Sequence, residues 1–121
     1  MPLYTILFRL LAYTALISIT ILAFLPNYDA LPPIVSFSDL LNHAVAFFVL
    51  FILFREAHPK LQVSYRIVLL LFYAIFIEVV QYFLPTRFSS FSDILADSFG
   101  LLLAYLFHKL IYKLFKQPHL E

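Results

Sequence analysis

Cysteine and tryptophan are absent from this chain of 121 residues, glycine occurs once, and Asp, Glu, Lys and Arg together make up only 12% of it. Each gap excludes something. Without cysteine there is no disulfide, no thiolate nucleophile and no cysteine metal site, and redox reasoning leaves the compartment open. A single glycine cannot build a phosphate-cradling loop, so an NTP-driven pump is not expected. Eight Lys and Arg against seven Asp and Glu leave a net charge of +1, so no nucleic-acid footprint is indicated. Any interfacial aromatic belt must be built from Tyr and Phe.

What fills the chain instead is apolar: 64% of residues, where soluble domains hold about half apolar and a quarter charged. A domain this small could not cover so many Leu, Ile and Phe with its few polar side chains, so lipid must cover them. A bilayer core needs about 20 apolar residues per helix, and four stretches qualify or nearly so, at about 3–25, 38–54, 66–84 and 93–115. The expected fold is all-α, a polytopic membrane protein with four transmembrane helices in a single domain spanning 1–121. The first stretch lacks a dense basic leader and an A-x-A site and reads as a retained helix. Arg55, Lys60 and Arg66 crowd the middle connection, Lys109, Lys113 and Lys116 the C-terminal end, and Arg9 lies near the N-terminus; the other two connections hold only Arg87. The positive-inside rule then places both termini and the middle connection in the cytoplasm.

The tetrapeptide Ser-Phe-Ser-Asp occurs twice, at 36–39 and 90–93, each time preceded by Phe-Leu-Pro, at 24–26 and 83–85. The pattern suggests two repeated helical hairpins related by an axis along the membrane normal. Ser and Asp are strong N-cap residues and Pro ends the preceding helix, so part of the repeat serves only to re-enter the bilayer. The aspartates ask for more. Asp39 is followed at i+4 by His43, and Asp93 at i+4 by Asp97, spacings that share a helical face. Gly100 continues the second stripe, where a small residue admits a neighbouring backbone. Glu78 and Gln81 lie near the outer end of the third span, with Arg87 just beyond Pro85. All these groups belong to the outer third of the membrane or just above it, and the inner half offers nothing comparable; His58 and Lys60 read as solvated.

Ionisable groups at this depth cost about 2.5–3.5 kcal/mol each on insertion scales and face a bundle interior or wet cavity. Pairing of the acids with Arg87 and His43 would serve packing alone. Four carboxylates, an imidazole, an amide and a guanidinium on one side exceed what packing requires, and point to an outward-facing pocket.

At these residues the chain resembles the VanZ-like family of small bacterial membrane proteins. That family opens one helix with Asp-Lys-x-x-His-Phe-x-x-Phe, which Asp39 to Phe47 resembles, and continues with Glu-x-x-Gln, Pro-x-Arg, an Asp and Asn-x-x-Gly, matched by Glu78, Gln81, Pro85, Arg87, Asp93 and Gly100. Leu40 replaces the family lysine, Ala44 the phenylalanine and Asp97 the asparagine, making this version more negative. The resemblance implies a bacterial cytoplasmic-membrane protein with an envelope role, in a family named for a protein linked to teicoplanin resistance. It does not supply a reaction.

Two functions compete for the pocket. In the first, Asp39, His43, Glu78, Gln81, Arg87, Asp93 and Asp97 bind an amphiphile, a lipid-linked cell-wall precursor or a lipoglycopeptide, with Arg87 on its phosphate or carboxylate. In the second, Asp39, His43, Glu78, Asp93 and Asp97 hold a divalent metal, and Asp39, His43, Glu78 and Asp93 are the candidate catalytic residues of a hydrolase or transferase on a lipid-linked phosphate or glycan. A transport role ranks last, because the polar groups do not cross the membrane. Membrane lipids are expected partners, nucleic acid is not, and oligomeric state stays open.

Overall fold

The computed structural model describes residues 1–25, 39–84 and 90–115, the side chain of Asp39 excepted. They form four helices: α1 Leu3–Phe24, α2 Asp39–Ala57, α3 Val63–Tyr82 and α4 Phe91–Phe115. All four are long and apolar enough to cross a membrane, and the chain is a multi-pass membrane protein. Large side chains such as Leu69, Phe72, Phe76 and Phe99 are more than half exposed along the helices, an apolar surface that water would not tolerate and lipid does.

The middle connection is shorter than expected. α2 runs on through Arg55, Glu56 and Ala57, and α3 starts at Val63 and carries Arg66, so only residues 58–62 join them. Hydrophobicity marks where a helix leaves lipid, whereas its hydrogen bonds continue until something breaks them. Long basic side chains at a helix end are compatible with both, because their stems remain in apolar surroundings.

Cross-helix contacts give the directions. Tyr4 meets Glu56 and Arg9 meets the Ala57 carbonyl, placing the start of α1 beside the end of α2, so the two are antiparallel. Gln81 meets Ala23 and Tyr73 meets Leu16, so α1 and α3 run together. His43 meets Asp97 and Arg55 meets His108, so α2 and α4 run together. This is the arrangement of two successive helical hairpins. α2 is the central helix, packed most extensively on α4 and next on α1.

The core lies between these elements: Phe47, Leu50 and Phe51 of α2, Leu70 and Ala74 of α3, Leu101 and Ala104 of α4. Each helix offers its stripe at helical spacing, as with Arg66, Leu70, Ala74, Ile77, Glu78 and Gln81 on α3 and Asp93, Asp97, Gly100, Leu101 and Ala104 on α4. Gly100 sets the α2–α4 distance. A Cβ there would stand 2.1 Å from the carbonyl oxygen of Ala44 and 3.0 Å from its Cα, so the backbones touch only because the side chain is missing.

Candidate functional site

Ser90 begins the site by capping α4. Its Oγ accepts from the Asp93 N–H at 3.3 Å, while its own N–H donates to Glu78 Oε2 at 3.1 Å. The cap thus orients two things at once: it satisfies the first turn of α4, and it ties α4 to the C-terminal end of α3. With Asp93 in the first turn and Asp97 one turn further, both carboxyls face α2 from the buried stripe.

His43 of α2 meets them. Its Nδ1 lies 2.7 Å from Asp97 Oδ1 and its Nε2 lies 3.9 Å from Asp93 Oδ2. Asp97 is completely buried, Glu78 and Asp93 are each 5% exposed, and the His43 side chain is 14% exposed. The close backbone approach at Ala44 and Gly100, one residue beyond His43 and three beyond Asp97, is what brings an imidazole and a carboxylate on different helices within hydrogen-bond range.

The set is not closed by its own bonds. Glu78 Oε1 and Asp97 Oδ2 are buried and have no hydrogen-bond partner among the described residues, an arrangement that costs a carboxylate about 1–3 kcal/mol or more. Three carboxyls, of Glu78, Asp93 and Asp97, lie close to the one imidazole of the described cluster. One donor atom each from His43, Glu78 and Asp93 can be chosen so that all lie within 4.8 Å of one another. Ligands about 2.0–2.2 Å from a common ion are at most roughly 4.4 Å apart, so a contraction of a few tenths of an ångström completes the fit. A neutral imidazole with two carboxylates suits Zn²⁺, Mn²⁺ or Mg²⁺. Asp97 then holds the far nitrogen of a ligating histidine, as the carboxylates behind metal-bound histidines do.

Of the residues the sequence singled out, His43, Glu78, Asp93 and Asp97 converge. Gln81 does a different job: its Nε2 donates to the Ala23 carbonyl at 2.8 Å, closing the end of α1. Arg87 and the Asp39 side chain lie outside the described residues, as do Ser36 to Ser38.

The opposite end of the bundle, where the sequence suggested nothing comparable, also carries a buried polar group among the described residues. Arg66 is 3% exposed, its Nη2 donating to the Leu61 carbonyl at 3.0 Å and reaching the His58 carbonyl at 3.5 Å, with its guanidinium 5.5 Å from the Phe51 ring centre. Arg9 Nε donates to the Ala57 carbonyl at 2.9 Å. His58 is not simply solvated, since its Nε2 lies 2.9 Å from the Tyr13 hydroxyl and its ring stacks on Phe54. The sequence analysis grouped Arg66 with Arg55 and Lys60 as a basic residue of the middle connection. The usable signal was spacing, for Arg66 is in register with Leu70 and Ala74 on the buried stripe of α3.

A family model described as VanZ/LLP1 matches residues 2–115 of the chain. No curated protein and no solved structure matches it at a significant level.

Proposed function

Since the chain belongs to the VanZ/LLP1 family, we propose that it is an envelope protein of the bacterial cytoplasmic membrane that captures an amphiphilic, lipid-linked ligand at its acidic end, through a divalent cation held by His43, Glu78 and Asp93. The observation that carries this reading is the pair of buried carboxylate oxygens without partners, Glu78 Oε1 and Asp97 Oδ2, beside three convergent donors. In an apolar slab such a cluster calls for positive charge, and a bound cation with positions left open recruits phosphate or carboxylate oxygens. Asp97 orients His43, and Ser90 orients Glu78 while capping α4. The distribution of Lys and Arg puts this end on the outer face, where a lipid-linked cell-wall precursor or a lipoglycopeptide such as teicoplanin is met. Arg87, entering through the sequence alone, is the natural second contact for the ligand's anionic group.

The test is elemental analysis with native mass spectrometry of the wild type beside Glu78→Gln, each purified with Mg²⁺, Mn²⁺ and Zn²⁺ supplied in turn. One equivalent of one of these metals in the wild type and none in Glu78→Gln is expected, with a phosphate- or carboxylate-bearing lipid that is released on chelation. A wild type that retains no stoichiometric metal in any supplement sinks the proposal.

A second reading uses the same residues for chemistry. Metal-bound water is a nucleophile near neutral pH, and the carboxylate behind His43 is also the feature that sharpens catalytic metal sites. Turnover of a lipid-linked phosphate or glycan, lost in Glu78→Gln with binding retained, would decide for a hydrolase or transferase.

A further inference from the structure

At the end of the bundle opposite His43 the molecule opens into a cavity of about 980 Å³ between α1, α3 and the connection 58–62. It is as large as the upper range of small-molecule sites, about 300–1,000 Å³. The walls are chiefly apolar, with Leu16, Phe54, Leu69 and Leu70 along the bundle. The charged side chains in the described lining are all cationic: Arg9, Lys60 and Arg66 border it, and among the described residues no Asp or Glu does.

Arg66 is the informative member. It is 97% buried, its described acceptors are backbone carbonyls, and its Nε is buried without a hydrogen-bond partner among the described residues. Glu56, the one acid at this end among the described residues, is committed elsewhere, Oε1 to Arg55 and Oε2 to the Tyr4 hydroxyl at 2.5 Å. A buried guanidinium is kept in a protein when a carboxylate or phosphate answers it. His58 reports the same imbalance, for burial and then the charges of Arg9 and Arg66 push its imidazole below the ordinary value.

We infer that this basic cavity is a binding site for one anionic phospholipid of the adjoining leaflet, its phosphate held by Arg66, Arg9 and Lys60 and an acyl chain laid along Leu16, Leu69 and Leu70. Charge complementarity selects an anion, and the apolar wall continuous with the lipid-facing surface selects one that carries a chain. The wedge arises because α1 packs closely on α2 and only sparsely on α3, and a lipid chain fills what the helices leave open. This site is separate from the acidic end: Arg66 and Glu78 are twelve residues apart on α3, about 18 Å at helical rise.

The test uses the full chain, delipidated in detergent and titrated with phosphatidylglycerol, with phosphatidylcholine of the same chains, and with inorganic phosphate, read by native mass spectrometry and by thermal unfolding. One phosphatidylglycerol is expected to bind at least about tenfold tighter than phosphatidylcholine, and Arg66→Met to erase that preference, in line with a charge-assisted contact. If Arg66→Met does not fold, the double variant Arg9→Gln with Lys60→Gln, at half-buried and exposed positions, should lose most of it. Lys113→Gln, an exposed cation at the same end but outside the cavity, should bind as the wild type does. Equal affinity for the two lipids overturns the inference. So does equal loss in Lys113→Gln, which would mean diffuse attraction, or binding of inorganic phosphate that the lipid does not displace. Retention of metal at the acidic end is measured on the same samples, so failure at one site is told apart from failure at the other.

Discussion

The two ends of this bundle are built from the same helices, and among the described residues one holds the buried, unbonded oxygens Glu78 Oε1 and Asp97 Oδ2 and the other the buried, unbonded Arg66 Nε. α2 and α4 are clasped at both, by His43 and Asp97 at one end and by Arg55 and His108 at the other, with Phe47, Leu50, Phe51, Leu101 and Ala104 packed between. At the acidic end the acceptor is a carboxylate and the imidazole supplies the contact. At the basic end Arg55 Nε donates to His108 Nε2, so the imidazole is the acceptor. Glu78, Asp93 and Asp97 gather around His43, while Arg9, Lys60 and Arg66 border a cavity whose described lining holds no carboxylate. A protein that needed only stability would pair these sets along its length. They stand some 18 Å apart at helical rise, and on the proposals made above one end would take a cation and the other a phosphate.

The strongest way to break the comparison is at the contact that both clasps depend on. Gly100→Leu places a side chain against the Ala44 backbone, which cannot move aside as a side chain would, and should cost about 3 kcal/mol or more. A thermal melt in detergent checks it, and an unchanged midpoint would mean that α2 and α4 are not in contact there. Next in size is Asp97→Asn, which keeps the shape of the site and removes the charge behind His43. Cation affinity should fall about 10- to 100-fold while phosphatidylglycerol binding at the other end stays as it was. Equal affinity in this variant and the wild type would remove Asp97 from the site.

Gln81→Leu should be milder, at about 1 kcal/mol, because it strips the Ala23 carbonyl of its donor. It should leave metal content intact, separating a helix-end bond from the cluster one turn away. Lost metal would instead return Gln81 to the ligand set. The smallest effect belongs to His58. Its neutral form is favoured in the fold, so its titration by NMR should have a midpoint below the usual 6.5 or so, and folded stability should decline slightly as pH falls from that usual value through the lowered one. Exposure and solvent screening keep the effect small. Arg9→Gln should move the midpoint upward, and bound phosphatidylglycerol should move it further. A midpoint at the ordinary value in the wild type would mean that Arg9 and Arg66 do not act on it.

Much of the acidic end was legible because helical spacing carries it. Asp93 with Asp97, and Glu78 with Gln81, share faces by arithmetic, and Gly100 announces a close approach wherever it sits in an apolar helix. The two copies of the tetrapeptide also mark equivalent places, four residues before His43 in one and before Asp97 in the other, and those two side chains are the pair that bonds across the helices. The spacing did not separate the roles of Glu78 and Gln81. One turns to Ser90 and the other to Ala23, according to which neighbour each meets.

The basic end was misread for a physical reason. Hydropathy ends a helix where charge begins, yet Arg55 and Arg66 lie inside helices with their stems in apolar surroundings. A cavity has no signature in one dimension either, since Arg9 on α1 and Arg66 on α3 are brought around the same space only by how the helices lean.

Composition and periodicity by themselves determined that this chain forms four helices long and apolar enough to cross a membrane, and that Asp93, Asp97 and Gly100 share one face of α4. Those are properties of single segments in lipid, where backbone bonds must close locally and apolar length sets the span. Which oxygens remain without partners, which histidine accepts and which donates, and where a cavity opens depend on distances between segments. Only the packing of α1 to α4 around Gly100 and Ala44 decided those.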